Sequence, residues 1–225
     1  MAACWQQVDD FEALLEPFTP SVNARRVPRT LAGDFQGLAE RLRPRAEAEG
    51  GLLVLSEAML REVTDADPRA MATLLDDLRR LEALGREPQL NVVTRYPRDE
   101  RGLGFPVDVY SFHVDRAPVD ADTFLCTYAG ACSEGLEPFD AERLVDDPTL
   151  RAALRAHHGQ DDGFEAFLAE GCFDLHYRRK PGAVPFSFGL GHLWRLAVAS
   201  PGATAPPCIH RAPDEGGQPR LLLIA

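Results

Sequence analysis

The chain contains no Cys-x-x-Cys pair, and its longest run of basic residues is Arg178-Arg179-Lys180. It also lacks the run of about 18 apolar residues that a membrane-crossing helix requires. The missing cysteine pair argues against a zinc ribbon or a thioredoxin-type redox centre. The sparse basic residues, with a net charge of −11, disfavour a nucleic-acid surface, because phosphate binding needs clustered cations. Basic pairs such as Arg25-Arg26 and Arg79-Arg80 read as solvated surface. No Gly-x-Ser-x-Gly elbow and no glycine-rich phosphate loop is present, so hydrolase and nucleotide chemistry have little support. The first residues, Met-Ala-Ala-Cys-Trp-Gln-Gln-Val-Asp-Asp, offer neither a basic flank nor a long apolar stretch, so a secretory signal is not expected. The five cysteines, an odd number without close pairing, fit a reducing cytoplasm. The Ala/Arg/Leu/Pro/Gly-rich composition suggests a bacterial source.

What is present divides near residue 89. The 225 residues suit a single domain, with a helical layer over 1–88 supporting a β-barrel core over 89–225. In the layer, Phe11 to Glu16 and Leu31 to Arg43 read as helices, the second ending at Pro44. Ser56 reads as a cap, and Asp67-Pro68 as a cap with proline in the first helical position. The leucine stripe from Met71 to Leu84 follows, closed by Gly85. Beyond it, short β-branched segments predict strands at Leu90 to Tyr96, Val107 to His113, Thr123 to Tyr128, Cys172 to Arg178, Val184 to Phe188, Leu193 to Ala199, Cys208 to His210 and Arg220 to Ile224. Residues 137–171 read as a helical insertion. The pattern predicts an α+β chain whose strands form a barrel or sandwich.

Within that frame His113 and Asp115 stand two residues apart at a predicted strand end, where side chains i and i+2 share a face. His210 lies on the next-to-last strand and Arg220 begins the last. Two histidines and one carboxylate can hold iron(II) on one face of an octahedron and leave three positions open. An arginine one strand away offers a permanently charged fork for an anion.

This order of His-x-Asp, a long gap, His, and an arginine about ten residues on resembles the iron(II)/2-oxoglutarate-dependent dioxygenases, over about residues 90–225. Pro181-Gly182 resembles the turn that enters a later strand of their barrel. The chain looks closer still to an uncharacterised bacterial family, the domain of unknown function 1826 proteins. That likeness rests on Phe112-His-Val-Asp115, Cys126-Thr-Tyr128-Ala-Gly130 with Ser133-Glu134, and His210-Arg-Ala-Pro213 with Arg220-Leu-Leu-Leu. The segment Ala131 to Gly135 departs from the family pattern, lacking its second glycine and its tryptophan.

The resemblance implies a double-stranded β-helix (jelly-roll or cupin-like) barrel. It further implies Fe(II) held by His113, Asp115 and His210, with 2-oxoglutarate chelating the metal and its far carboxylate on Arg220. O2 and a small-molecule substrate complete the reaction. Thr127 and Tyr128 are expected to hydrogen-bond the co-substrate, Tyr110 to contact substrate, and His192 to line the pocket mouth. Substrate selectivity is expected in the loops and the insertion.

From the residues alone other readings stay open. The same ligands, with Cys208 on the His210 face, suit zinc in a non-catalytic protein. A cupin-like metalloenzyme without 2-oxoglutarate is a third reading. His113 and His210 can also be ordinary barrel histidines, with Asp115 in a turn and Arg220 paired to Asp214 or Glu215. His157-His158 with Asp161-Asp162 reads as surface loop rather than a cation site. His176 reads as packing or rim.

Overall fold

The computed structural model describes residues 3–63, 65–160, 162–214 and 216–225. In chain order the strands are β1 (Trp5–Gln7), β2 (Ala24–Val27), β3 (Leu52–Leu55), β4 (Gln89–Val93), β5 (Phe112–His113), β6 (Asp122–Ala129), β7 (Glu134–Leu136), β8 (Ala141–Arg143), β9 (His176–Arg179), β10 (Phe186–Ser187), β11 (Leu193–Ala197), β12 (Ile209–Arg211) and β13 (Arg220–Ile224). The α-helices are α1 (Phe11–Leu14), α2 (Phe35–Ala48), α3 (Glu57–Glu62), α4 (Pro68–Ala83), α5 (Pro148–His158) and α6 (Phe164–Glu170). Among the described residues no helix is long and apolar enough to cross a membrane.

The helix ends follow local chemistry. The Asp67 carboxylate accepts the Arg69 N–H at the start of α4, and Ser56 accepts the Met59 N–H at the start of α3. Gly85, at φ 73°, lets the chain turn back so that the Arg86 N–H reaches the Leu81 carbonyl. Pro44 does not stop its helix as the sequence suggests; α2 begins at Phe35 and runs through it to Ala48. Proline removes the bond to the Glu40 carbonyl, but Glu40 and Pro44 are exposed, so water can take that group. Continuing the helix buries Ala46 on the stripe of Leu38 and Leu42.

The chain is α+β with two sheets, one curled into a half-barrel. Their orders are β1-β2-β11-β6-β13-β4-β3 and β10-β7-β12-β5-β9-β8. From β4 onward the strands pair as mirror images along the chain: β4 with β13, β5 with β12, β6 with β11 and β7 with β10, each antiparallel. The pairs lie alternately in the larger and the smaller sheet. The first 88 residues are not purely helical, because β1 and β2 extend one edge of the larger sheet and β3 the other. Arg25, in β2, is buried rather than solvated. Its guanidinium donates to the carbonyls of Ala13, Glu16 and Pro17 just beyond and within α1, satisfying groups that a helix end leaves open.

Helices α2 and α4 pack on the outer face of the larger sheet. Leu38, Leu42, Leu74 and Leu81 join Val92, Phe124, Cys126, Leu221 and Leu223 in one core. A second core, with Leu125, Phe188, Trp194, Leu222 and Cys208, fills the inner face. Because strand side chains alternate, Arg220 shares the inner face with Leu222, and His210 shares it with Cys208. On β5 and β12 the outward neighbours Phe112 and Ile209 pack in a separate cluster beneath Leu175 and Tyr177.

Candidate metal centre

Only Phe112–His113 of the predicted strand Val107 to His113 pairs as one. Asp108 breaks the rest by folding its own turn: its carboxylate accepts the Tyr110 N–H and its carbonyl the Ser111 N–H. That turn brings the Ser111 carbonyl within 2.8 Å of His113 Nδ1. His210 repeats the arrangement, with Nδ1 3.2 Å from the Cys208 carbonyl. A carbonyl only accepts, so each ring carries its proton on Nδ1 and offers the Nε2 lone pair. This is the way metal-binding histidines are held.

The chain leaves β5 after His113 and crosses to the larger sheet. There the Asp115 carbonyl accepts the Ala199 N–H at 2.8 Å. The Asp115 carboxylate thereby faces both rings: Oδ1 is 3.9 Å from His113 Nε2 and Oδ2 is 3.8 Å from His210 Nε2. Thr123 Oγ1 donates to Oδ2 at 2.7 Å and fixes the carboxylate. His113 and His210 are direct register partners. Ligand atoms of the three residues all lie within 4.8 Å of one another. Cis ligands about 2.1 Å from an ion stand about 3 Å apart, so closing on a metal needs shifts of about an ångström or two.

The protonation states suit cation capture. Burial pushes His113 down to about 4, and the neighbouring His210 adds to the effect. Burial pushes Asp115 up, but His210, the Thr123 hydrogen bond and His113 outweigh it and hold the carboxyl below its usual range. At neutral pH His113 is therefore neutral and Asp115 charged. Cys208 is not among the converging ligand atoms. Burial raises its thiol far above the ordinary range, and Asp115 adds to that. The fourth zinc ligand that the sequence allows is therefore missing.

Arg220 enters the same interior from β13. It is buried, and its guanidinium donates to the Ala131 carbonyl at 2.8 Å, Ser133 Oγ at 3.0 Å and Tyr96 Oη at 3.4 Å. Among the described residues no carboxylate pairs with it. Asp214 makes no such bridge, and Glu215 lies outside the described residues. Burial lowers the Arg220 pKa, as expected of a cation without a countercharge. Gly130 permits the close fit, since a Cβ there would sit 2.7 Å from the Pro219 carbonyl and 3.0 Å from Arg220 Cγ.

No protein-family model, curated protein or solved structure matches the chain.

The remaining predicted residues divide. Thr127 is buried, pairs in register with the inward Leu222, and its Oγ1 has no hydrogen-bond partner. Tyr128 lies on the opposite face, with its hydroxyl donating to Asp77 of α4 at 2.7 Å, so it is not brought to the site. Tyr110 lines the small pocket beside Arg220 together with Tyr96. His192 is also away from the triad, with Nδ1 accepting the Arg29 N–H at 3.1 Å. Of the second histidine pair, His158 stacks on Phe167 and bonds the Asp162 carbonyl. Asp161 lies outside the described residues, and no metal cluster forms there among the described ones. Sequence reasoning undervalued His176. It is the register partner of His113 on β9, and its ring centroid is 5.7 Å from that of His113.

Proposed function

We propose that this protein is a non-haem iron(II)/2-oxoglutarate-dependent oxygenase that oxidises, most simply by hydroxylation, a small molecule. The observation that carries the reading is Arg220, a buried guanidinium with neutral partners only, on the interior face that His210 also shares. A buried cation is costly unless paired, so a site built this way favours an anion. The Thr127 hydroxyl, buried and unpartnered on the same face, is the kind of group that a bound polar ligand satisfies. The mirror pairing of eight strands supports a double-stranded β-helix.

The donor set fits iron. Three N/O ligands on one side leave open positions, as in the two-histidine, one-carboxylate sites of oxygenases. When bound, iron(II) with 2-oxoglutarate and O2 supplies oxidative decarboxylation to succinate and carbon dioxide, coupled to oxidation of a C–H bond. The residues of the chain have separate tasks. Nε2 of His113 and of His210 and one oxygen of Asp115 hold the ion, and Thr123 keeps the other carboxylate oxygen occupied. Arg220 binds the distal carboxylate of the co-substrate, and Thr127 donates to it.

The test is anaerobic binding of iron(II) followed by 2-oxoglutarate, then succinate release in air without added substrate. The expected result is slow succinate formation and a rise in melting temperature with 2-oxoglutarate. In Arg220→Ala both disappear while the metal still binds. Tight zinc binding with no response to 2-oxoglutarate would sink the reading in favour of a structural or zinc-binding barrel. Succinate formation that survives Arg220→Ala would show that Arg220 does not bind the co-substrate, and metal binding with no succinate formation at all points to a metalloenzyme that does not use 2-oxoglutarate.

A further inference from the structure

Two members of the triad, His113 and Asp115, line a cavity of about 420 Å³ together with His176. Its size lies within the range of small-molecule sites. Much of its wall is apolar, formed by Val107, Val109, Ala169 and Leu175. The charged wall residues outside the triad are already engaged. The Asp108 carboxylate accepts the backbone N–H groups of Tyr110 and Asp99. Arg116 is ion-paired with Asp174 and also reaches the Ala169 carbonyl. Its one cation, Arg116, is paired, and the Asp108 and Asp115 carboxylates keep the wall negative, so an anionic substrate would find nothing here to offset its desolvation.

His176 is different. Its Nδ1 is fixed 2.5 Å from Ser111 Oγ, on the residue whose carbonyl holds His113. The ring is thereby locked at the triad's edge, and its Nε2 has no partner among the described residues. We propose that His176 is a substrate-contacting residue. Its Nε2 hydrogen-bonds the hydroxyl or carbonyl of a neutral, largely apolar small molecule lodged in this cavity. This deepens the oxygenase reading and rests on it for the chemistry that follows binding. Fixing one polar group of an otherwise apolar substrate selects which C–H bond faces the metal ligands.

The test uses two ring compounds of one size, cyclohexanol and cyclohexanecarboxylate. Each is titrated into metal-free protein and into protein loaded with zinc and 2-oxoglutarate, while the His176 ring resonances are followed by NMR. Cyclohexanol should shift those resonances and bind at least tenfold tighter than cyclohexanecarboxylate. His176→Phe should weaken cyclohexanol at least tenfold, and His176→Gln, which keeps a hydrogen-bonding amide, should restore most of the affinity. Equal binding of cyclohexanecarboxylate, unchanged affinity in His176→Phe, or no cyclohexanol binding overturns the proposal. Failure of zinc or 2-oxoglutarate to bind is a separate result that strikes the oxygenase reading, because the metal-free arm still tests His176.

Discussion

His113 and His210 face each other as register partners across the β5–β12 ladder, with ring centroids 4.7 Å apart. Their Nδ1 atoms are each bonded to the carbonyl two residues back, so both Nε2 atoms are left for a shared ion. Two lone pairs and a carboxylate that converge repel one another, and a divalent cation would remove that repulsion. His210→Ala and Asp115→Ala should each lower iron(II) or zinc affinity by about a hundredfold or more while the far-ultraviolet circular dichroism stays unchanged. Calorimetric titration of the metal-free variants measures this. Affinity retained in both would place the metal elsewhere.

Thr123 should act on a bound ion through Asp115. Its hydroxyl donates to Oδ2, which fixes the plane of the carboxylate. Thr123→Val keeps the shape and removes that bond. Groups that orient a ligand in this way are worth about tenfold to a hundredfold in metal affinity. The expected result is a loss in that range with little change in the stability of the metal-free protein, read by the same titration and by urea unfolding. Thr123→Ser should recover the affinity.

Acid should weaken the metal-free fold over a defined window. Burial lowers both His113 and His176 to about 4, against about 6.5 in the unfolded chain. Between those values the unfolded state binds more protons than the folded one. Stability therefore rises with pH across the window, and what is lost on acidification is lost as pH falls from about 6.5 to 4. Asp115, also lowered, acts in the same direction below the usual carboxylate range. Urea midpoints at pH 7, 6, 5 and 4 should fall steadily, and the decline should be shallower in a His113→Gln/His176→Gln double variant. An identical slope in that variant would show that other groups set the acid response.

Much of the candidate site was legible because its signal is local and chemical. His113 and Asp115 sit two apart after a short β-branched stretch, His210 lies on a later strand, and Arg220 heads the last one. The side on which a residue of β6 points was not legible. Every residue from Thr123 to Ala129 is buried, so polarity does not alternate and nothing in the sequence separates Thr127 from Tyr128. The N-terminal strands were hidden for related reasons. Leu-Leu-Val-Leu at β3 is too short to distinguish strand from helix, and Ala-Arg-Arg-Val at β2 carries a charge whose partners are helix-end carbonyls. His176 is separated from His113 by the helical insertion, and only the β5–β9 register brings the two together.

Tyr128 should therefore behave as a structural residue rather than a co-substrate ligand. Its hydroxyl donates to Asp77, whose two carboxylate oxygens also accept from Nη1 of Arg29 at 2.7 and 2.8 Å. Tyr128→Phe removes one hydrogen bond to a charged group and should cost about 1–3 kcal/mol of stability. Asp77→Ala leaves the Arg29 guanidinium without its partner and should cost about 3–5 kcal/mol. In Tyr128→Phe the response of melting temperature to 2-oxoglutarate should stay within about twofold of the parent, whereas Thr127→Val, lacking the inward hydroxyl, should weaken it by about tenfold. Calorimetry with and without 2-oxoglutarate separates the two residues. A 2-oxoglutarate response lost in Tyr128→Phe but kept in Thr127→Val would reverse their assignment.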